Sequence, residues 1–337
     1  MPDRVIVITG ASAGVGRATA QRFARDGWRV GVIARGGLAE TLEELRTLGA
    51  KAHGVEADVA DADAVEHAAA EMERALGAID VWVNNAMTTV FASVDDMTAE
   101  EFARVTAVTY LGAVHGTMAA LRRMRPRKRG HIIHVGSALA YRGIPLQSAY
   151  CGAKHALVGF TESLRSELLH DKIPVHVSMV HLPAVNTPQF DWARSHRAYT
   201  PKPATKVVYQ PEAAATAIAR CVAHPKREYW LSLMTAQTIL GGMSAPGWLD
   251  RILARTTVEG QETRRALPAE RIDNLMRPAP TRHEARGSFG AGARTKGLII
   301  SGAAGRWLPI GVGALACAAI GALLGAALAR RLTRSAG

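Results

Sequence analysis

Val5-Ile6-Val7-Ile8-Thr9-Gly10-Ala11-Ser12-Ala13-Gly14-Val15-Gly16 leads into a run of helical character over residues 17–26. Successive β-branched residues favour a buried strand. The glycines behind it permit a tight turn. Lacking side chains, they let the backbone approach a pyrophosphate whose charge is met by the N-terminus of the following helix. Strand, glycine turn and helix in that order point to dinucleotide binding, with Gly10, Ser12, Ala13, Gly14, Val15 and Gly16 as the cradle. The spacing is Gly, three residues, Gly, one residue, Gly. That differs from the commoner G-x-G-x-x-G, and by itself it also fits a plain structural turn.

Beyond this stretch, Val- and Ile-rich runs recur at residues 30–34, 81–84, 131–135 and 175–180, separated by longer Ala-rich segments of helical character. The alternation predicts an α/β fold, a doubly wound parallel sheet of Rossmann type with helices on both faces. The 337 residues are 48% hydrophobic and 21% charged, which excludes collagen-like, disordered and disulfide-scaffold classes. Cys151, Cys221 and Cys317 show no metal or redox spacing, and the histidines form no His-Glu-x-x-His cluster, so no metal site is expected.

Net charge is +12, yet residues 1–250 carry only +3 of it and residues 251–337 the remaining +9. The one dense basic run before residue 250, residues 122–129, has no aromatic partner and reads as a solvated connection rather than a nucleic-acid surface. Residues 1–255 are expected to form the catalytic domain. Residues 256–306, rich in Arg, Glu, Pro and Gly, read as a polar basic linker. Residues 308–329 then hold no charge over 22 positions, flanked by Arg306, Trp307, Arg330 and Arg331. As a helix they would extend about 33 Å, the thickness of a bilayer core, so residues 307–337 are expected to be a C-terminal membrane anchor and short tail. No signal peptide is read ahead of the first strand, so the catalytic domain is expected in the cytoplasm, at the membrane.

Tyr150 and Lys154 stand one helical turn apart at the start of a helical run, so their side chains share a face. A tyrosine is a poor acid near neutral pH, and a neighbouring ammonium favours its phenolate. Lys154 would thereby tune Tyr150 as a general acid/base. Ser137 follows the strand at residues 131–135, at the carboxyl end of the sheet where ligands of open α/β folds bind. The second strand ends at Ala34 and Arg35 with no carboxylate, which favours the extra phosphate of NADP over NAD.

Taken in order, the glycine turn, Asp58, Asn84-Asn85-Ala86, Ser137, Tyr150 with Lys154, and the segment from Pro183 to Thr187 resemble the short-chain dehydrogenase/reductase family over roughly residues 1–250. The resemblance implies that Tyr150 exchanges the proton with the substrate oxygen, that Ser137 orients that oxygen, and that Lys154 holds the nicotinamide ribose. It further implies Asp58 with Val59 by the adenine, Asn85 and Ala86 along the cofactor, Thr187 at the carboxamide end, and assembly as a homo-oligomer. Met87 and Ala184 stand where the family commonly has glycine. Thr109 stands where many members place an asparagine of the proton relay.

The resulting expectation is an NADP(H)-dependent oxidoreductase that interconverts a carbonyl and a secondary alcohol on a small, apolar substrate. Residues 189–210 correspond to the family's variable substrate loop. The alternative is a nucleotide-binding sensor or scaffold that keeps the fold and performs little catalysis.

Overall fold

The structure is a computed structural model, and it describes residues 4–279 and 281–307. The chain runs β1 (Val5–Thr9), α1 (Gly14–Arg25), β2 (Arg29–Ala34), α2 (Leu38–Thr47), β3 (Ala52–Glu56), α3 (Ala62–Leu76), β4 (Ile79–Asn84), β5 (Val90–Phe91), α4 (Ala99–Thr106) and α5 (Gly112–Arg127). It continues through β6 (Gly130–Ser137), α6 (Ser148–His170), β7 (Val175–Leu182), α7 (Gln189–Trp192), β8 (Arg194–Ser195), β9 (Tyr199–Pro201), α8 (Pro211–Ala223) and β10 (Glu228–Leu231). Then follow α9 (Leu233–Ser244), α10 (Pro246–Gly260), β11 (Glu262–Ala266) and β12 (Ile299–Ser301).

Among the described residues the main sheet has eight strands in the order β12-β10-β7-β6-β4-β1-β2-β3. All neighbours are parallel except β10 with β12. Strand order reverses between β1 and β4, which opens a crevice at their carboxyl ends. The continuous apolar runs of β1, β2 and β4 are buried because helices cover both faces. One layer packs α1 and α8 against the sheet through Phe23, Ala214 and Ile218, and the other packs α3 and α5 through Met72, Leu76 and Met124.

The basic run at residues 122–129 is the end of α5 and the turn after it. Arg123 bonds Glu66 at 2.8 Å and Arg129 reaches Asp80 at 2.5 Å, so these arginines fasten α5 to α3 and β4.

The stretch expected to be a linker, residues 256–306, is folded onto the domain. It completes α10, adds β11 to β9 and supplies β12 as the antiparallel edge of the main sheet. Its low apolar content hid this, because main-chain hydrogen bonds hold much of it in place. Ser232 N–H donates to Leu298 O at 2.7 Å and Gln210 N–H to Arg294 O at 2.8 Å. A few apolar anchors, Leu275, Ala279 and Ile300, are buried. The proposed anchor, residues 308–329, lies outside the described residues. Among the described residues no helix is long and apolar enough to cross a membrane.

Candidate active site

The turn after β1 is built so that only glycine fits at its tightest point. A Cβ on Gly16 would lie 2.2 Å from Gly10 O. Asn85, at the end of β4, stitches the turn to the neighbouring strand. Its Nδ2 donates to Thr9 O at 2.9 Å and Gly10 O at 3.1 Å, while the Asn85 and Ala86 N–H groups donate to the Thr9 hydroxyl at 3.0 and 3.1 Å. The first turn of α1 carries no carboxylate, so its N-terminal N–H groups and dipole favour an anion.

This turn forms one end of a cavity of about 600 Å³ at the strand-order reversal. Gly10, Ser12, Ala13, Gly14 and Val15 line it, as do Arg35, Asp58 and Val59 at the ends of β2 and β3. Asn85, Ala86 and Thr187 line the middle, and Ser137, Tyr150 and Lys154 the far end. The structure thus brings the predicted residues to one cavity, with Gly16 just behind the wall.

At the far end Tyr150 and Ser137 share a hydrogen bond, and the Ser137 hydroxyl accepts from Leu139 N–H at 3.1 Å. Lys154 is buried on α6, donates to Val135 O at 2.7 Å and lies 5.7 Å from the centre of the Tyr150 ring. Burial pushes the Tyr150 phenol well above its ordinary range, offset only in part by Ser137. Burial also pulls Lys154 down to about 8. Desolvation, and not the expected acidifying effect of the Lys154 ammonium, therefore sets the direction of the phenol's shift. The phenol is held protonated, which is the form a general acid needs.

At the end of the cavity beside β2 and β3, Asp58 pairs with Arg104 of α4 and accepts from Ala60 N–H at 3.0 Å. Burial pushes its carboxyl up, but the Ala60 and Arg104 hydrogen bonds and the charges of Arg104 and Arg35 outweigh that and hold it below its ordinary value. Thr109 sits in a π-helical turn, Ala107–Leu111, between α4 and α5. Its hydroxyl donates to Thr88 O at 3.0 Å and accepts Thr88 N–H at 3.1 Å, so the side chain braces the β4–β5 connection.

A family model described as short chain dehydrogenase matches residues 4–198. The chain belongs to the short-chain dehydrogenase/reductase family. YxnA of Bacillus subtilis, described as an uncharacterized oxidoreductase, is 36% identical over 268 residues, covering 79% of this chain and 75% of that protein. SadH of Mycobacterium tuberculosis, a putative oxidoreductase, is 34% identical over 55% of this chain and 67% of its own.

Among solved structures, a family member from Burkholderia phymatum in complex with NAD superposes with a TM-score of 0.64 at 26% identity, covering 75% of this chain and 96% of that one. Actinorhodin polyketide ketoreductase with NADPH gives 0.61 at 28% identity, covering 67% and 94%. This chain is accordingly an oxidoreductase with the family's nucleotide-binding fold.

Within this short-chain dehydrogenase the cavity wall beyond Ser137 and Tyr150 includes the apolar Leu139, Ile144, Met234, Leu249 and Leu253. Trp192 of the expected substrate loop lines it too, whereas Tyr209 is a core residue beside β7 and Tyr199 is exposed. Asn274, Pro278, Ala279 and His283 also line the cavity, and sequence reasoning missed all four. They lie in the basic stretch read as linker, and part of their engagement is through carbonyl oxygens, which carry no residue code.

Proposed function

We propose that this enzyme is an NADP(H)-dependent carbonyl reductase or alcohol dehydrogenase acting on an apolar substrate, with Tyr150 as general acid/base. The observation that carries the reading is the convergence of Ser137, Tyr150 and Lys154 at one end of a cavity whose other end is the glycine turn. The residues present fit a dinucleotide. The Gly16 contact closes the turn tightly behind the cavity, and the cradle presents N–H groups with no acidic residue in the first turn of α1.

When bound, the nicotinamide supplies or accepts the hydride. Ser137 holds the substrate oxygen beside the Tyr150 hydroxyl, and Tyr150 gives that oxygen a proton in reduction or takes it in oxidation. Lys154, on the next turn of α6, orients the ribose and stands ready to return a proton. The names of the structural neighbours include both NAD and NADPH, so the preference for NADP rests on Arg35 and the absence of a carboxylate at the end of β2. The apolar wall supports a hydrophobic carbonyl compound. Assembly as a homo-oligomer and tethering through residues 308–329 complete the proposal.

The test is NADPH and NADH oxidation by the full chain with a panel of long-chain ketones and aldehydes. Tyr150→Phe should lower turnover by about 10²- to 10⁴-fold while NADPH affinity persists. Equal turnover in the variant removes Tyr150 from the mechanism. NADPH binding with no turnover across the panel would favour the sensor or scaffold alternative.

A further inference from the structure

The stretch beyond α10 returns across the carboxyl ends of β1 and β2 and takes up the donors expected to meet a cofactor's phosphates. Gly14 N–H, in the glycine turn, donates to Glu284 O at 2.9 Å. The Arg35 guanidinium donates to Leu275 O at 3.1 Å and Asn274 O at 2.5 Å. Arg104, which pairs with Asp58, donates to Leu275 O at 3.1 Å.

The same stretch is pinned on both sides of these contacts. Leu275 is fully buried with Val90, Val105 and Ala149, in the cluster against which Tyr150 packs. Asp273 pairs with Arg194 at 2.8 Å. Gly287 N–H donates to Asn186 O at 3.1 Å, and Phe289 N–H to Asn186 Oδ1 at 2.8 Å. Between the pins, the buried Nδ1 of His283 has no hydrogen-bond partner and rests against the Gly37 turn that follows Arg35.

We propose that residues 274–279 and 281–287 are the outer wall of the adenosine half of the cofactor site, and that a dinucleotide enters and leaves only when this wall lifts. Carbonyl oxygens repel phosphate oxygens and compete with them for the same N–H donors. A phosphate arriving at Gly14 or Arg35 must therefore take the donor from Glu284, Asn274 or Leu275. Their carbonyls move only with the segment that Leu275 and Gly287 hold down. The wall lies outside the span matched by the family model, residues 4–198. The proposal rests on the reading of the cavity as a dinucleotide site.

Gly287 offers a substitution that strains the wall directly, because a Cβ there would lie 2.3 Å from Thr187 O and would prise the wall away. NADPH association and release are measured by stopped-flow fluorescence on the full chain, on Gly287→Val and on Leu275→Asp. Both rates should rise together, by at least about tenfold, with a smaller change in Kd. A third measurement needs no variant. Arg282 and Arg286 are exposed, so brief trypsin treatment nicks the wall of the wild-type protein, and the nicked protein should show the same acceleration.

Rates within twofold of the intact wild type in the folded variants and in the nicked protein overturn the wall and leave the dinucleotide site standing. NADPH and NADH binding by none of the forms overturns both. Binding that appears only after nicking supports a wall tighter than the intact protein can open.

Discussion

Lys154 and Tyr150 show how one physical effect moves two groups in opposite directions. Desolvation penalises whichever form carries charge, so it raises the phenol and lowers the ammonium in the same pocket. If Lys154 returns a proton to Tyr150 as proposed, then with Lys154 at about 8 that proton is retained below this pH and lost above it. The kcat/KM for carbonyl reduction should therefore be level from pH 6 to about 7.5 and then fall by up to tenfold per pH unit. A profile still level at pH 9.5 would show that Lys154 is not required in its charged form. The sequence showed the helical spacing of the pair but not the sign of the net effect, because spacing carries no information on burial.

Among the elements, β6 carries a pH liability within the core. Its His131 and His134 are buried, and burial lowers both to about 3, with nearby cationic groups adding to the effect. The folded state keeps both neutral, whereas the unfolded chain protonates them near 6.5. Stability from this source is complete above about 6.5 and is lost as pH falls toward 3, by up to about 1.4 kcal/mol per pH unit for each ring. His134→Gln should therefore reduce the stability lost between pH 7.5 and 5 by about 2 kcal/mol in urea denaturation. An unchanged loss would place the acid sensitivity elsewhere.

β6 also marks what the sequence made legible. Its Ile132, Ile133 and Val135 announce a buried strand, as do the runs of β1, β2, β4 and β7, and those strands position Ser137 and the glycine turn. β3 was much fainter, since Ala52-His53-Gly54-Val55-Glu56 is only partly buried and has little β-branched character. β11 and β12 gave no signal at all. β11 consists of Glu, Thr, Arg, Arg and Ala, and β12 has three residues, so both are fixed by ladder partners far away in the chain.

For the whole molecule, the decisive feature is that the C-terminal stretch is part of the fold. Glu228 of β10 is buried beneath it, accepting from the Tyr141 hydroxyl at 2.9 Å and Trp230 Nε1 at 3.2 Å, with His181 Nε2 at 3.3 Å and an ion pair to Arg306. Burial opposes its charge, and the His181 and Arg306 contacts outweigh that, so the carboxyl is held far below its ordinary range. Nδ1 of the same His181 lies 3.2 Å from Ser137 O, which ties this pair to the end of β6 that carries Ser137.

A chain ending at Arg255 loses Arg306, the fully buried Leu275 and the buried Gln261, whose Nε2 donates to Pro145 O at 2.8 Å. Removing a buried leucine costs about 2–5 kcal/mol, and stripping a partner from a buried ion pair about 3 kcal/mol at the lower end, since Arg306 is partly exposed. Together these approach the entire stability of an ordinary domain, about 5–15 kcal/mol. The chain ending at Arg255 should be unfolded or insoluble, while one ending at Trp307 keeps every described contact and should match the full-length urea midpoint. If residues 308–329 are the anchor, this second truncation should also move the enzyme from the membrane fraction to the supernatant with its activity intact. Equal midpoints for the two truncations would mean that β12 and Arg306 rest on the sheet without stabilising it. In that case the wall over the cofactor site would have no fixed base from which to open and close.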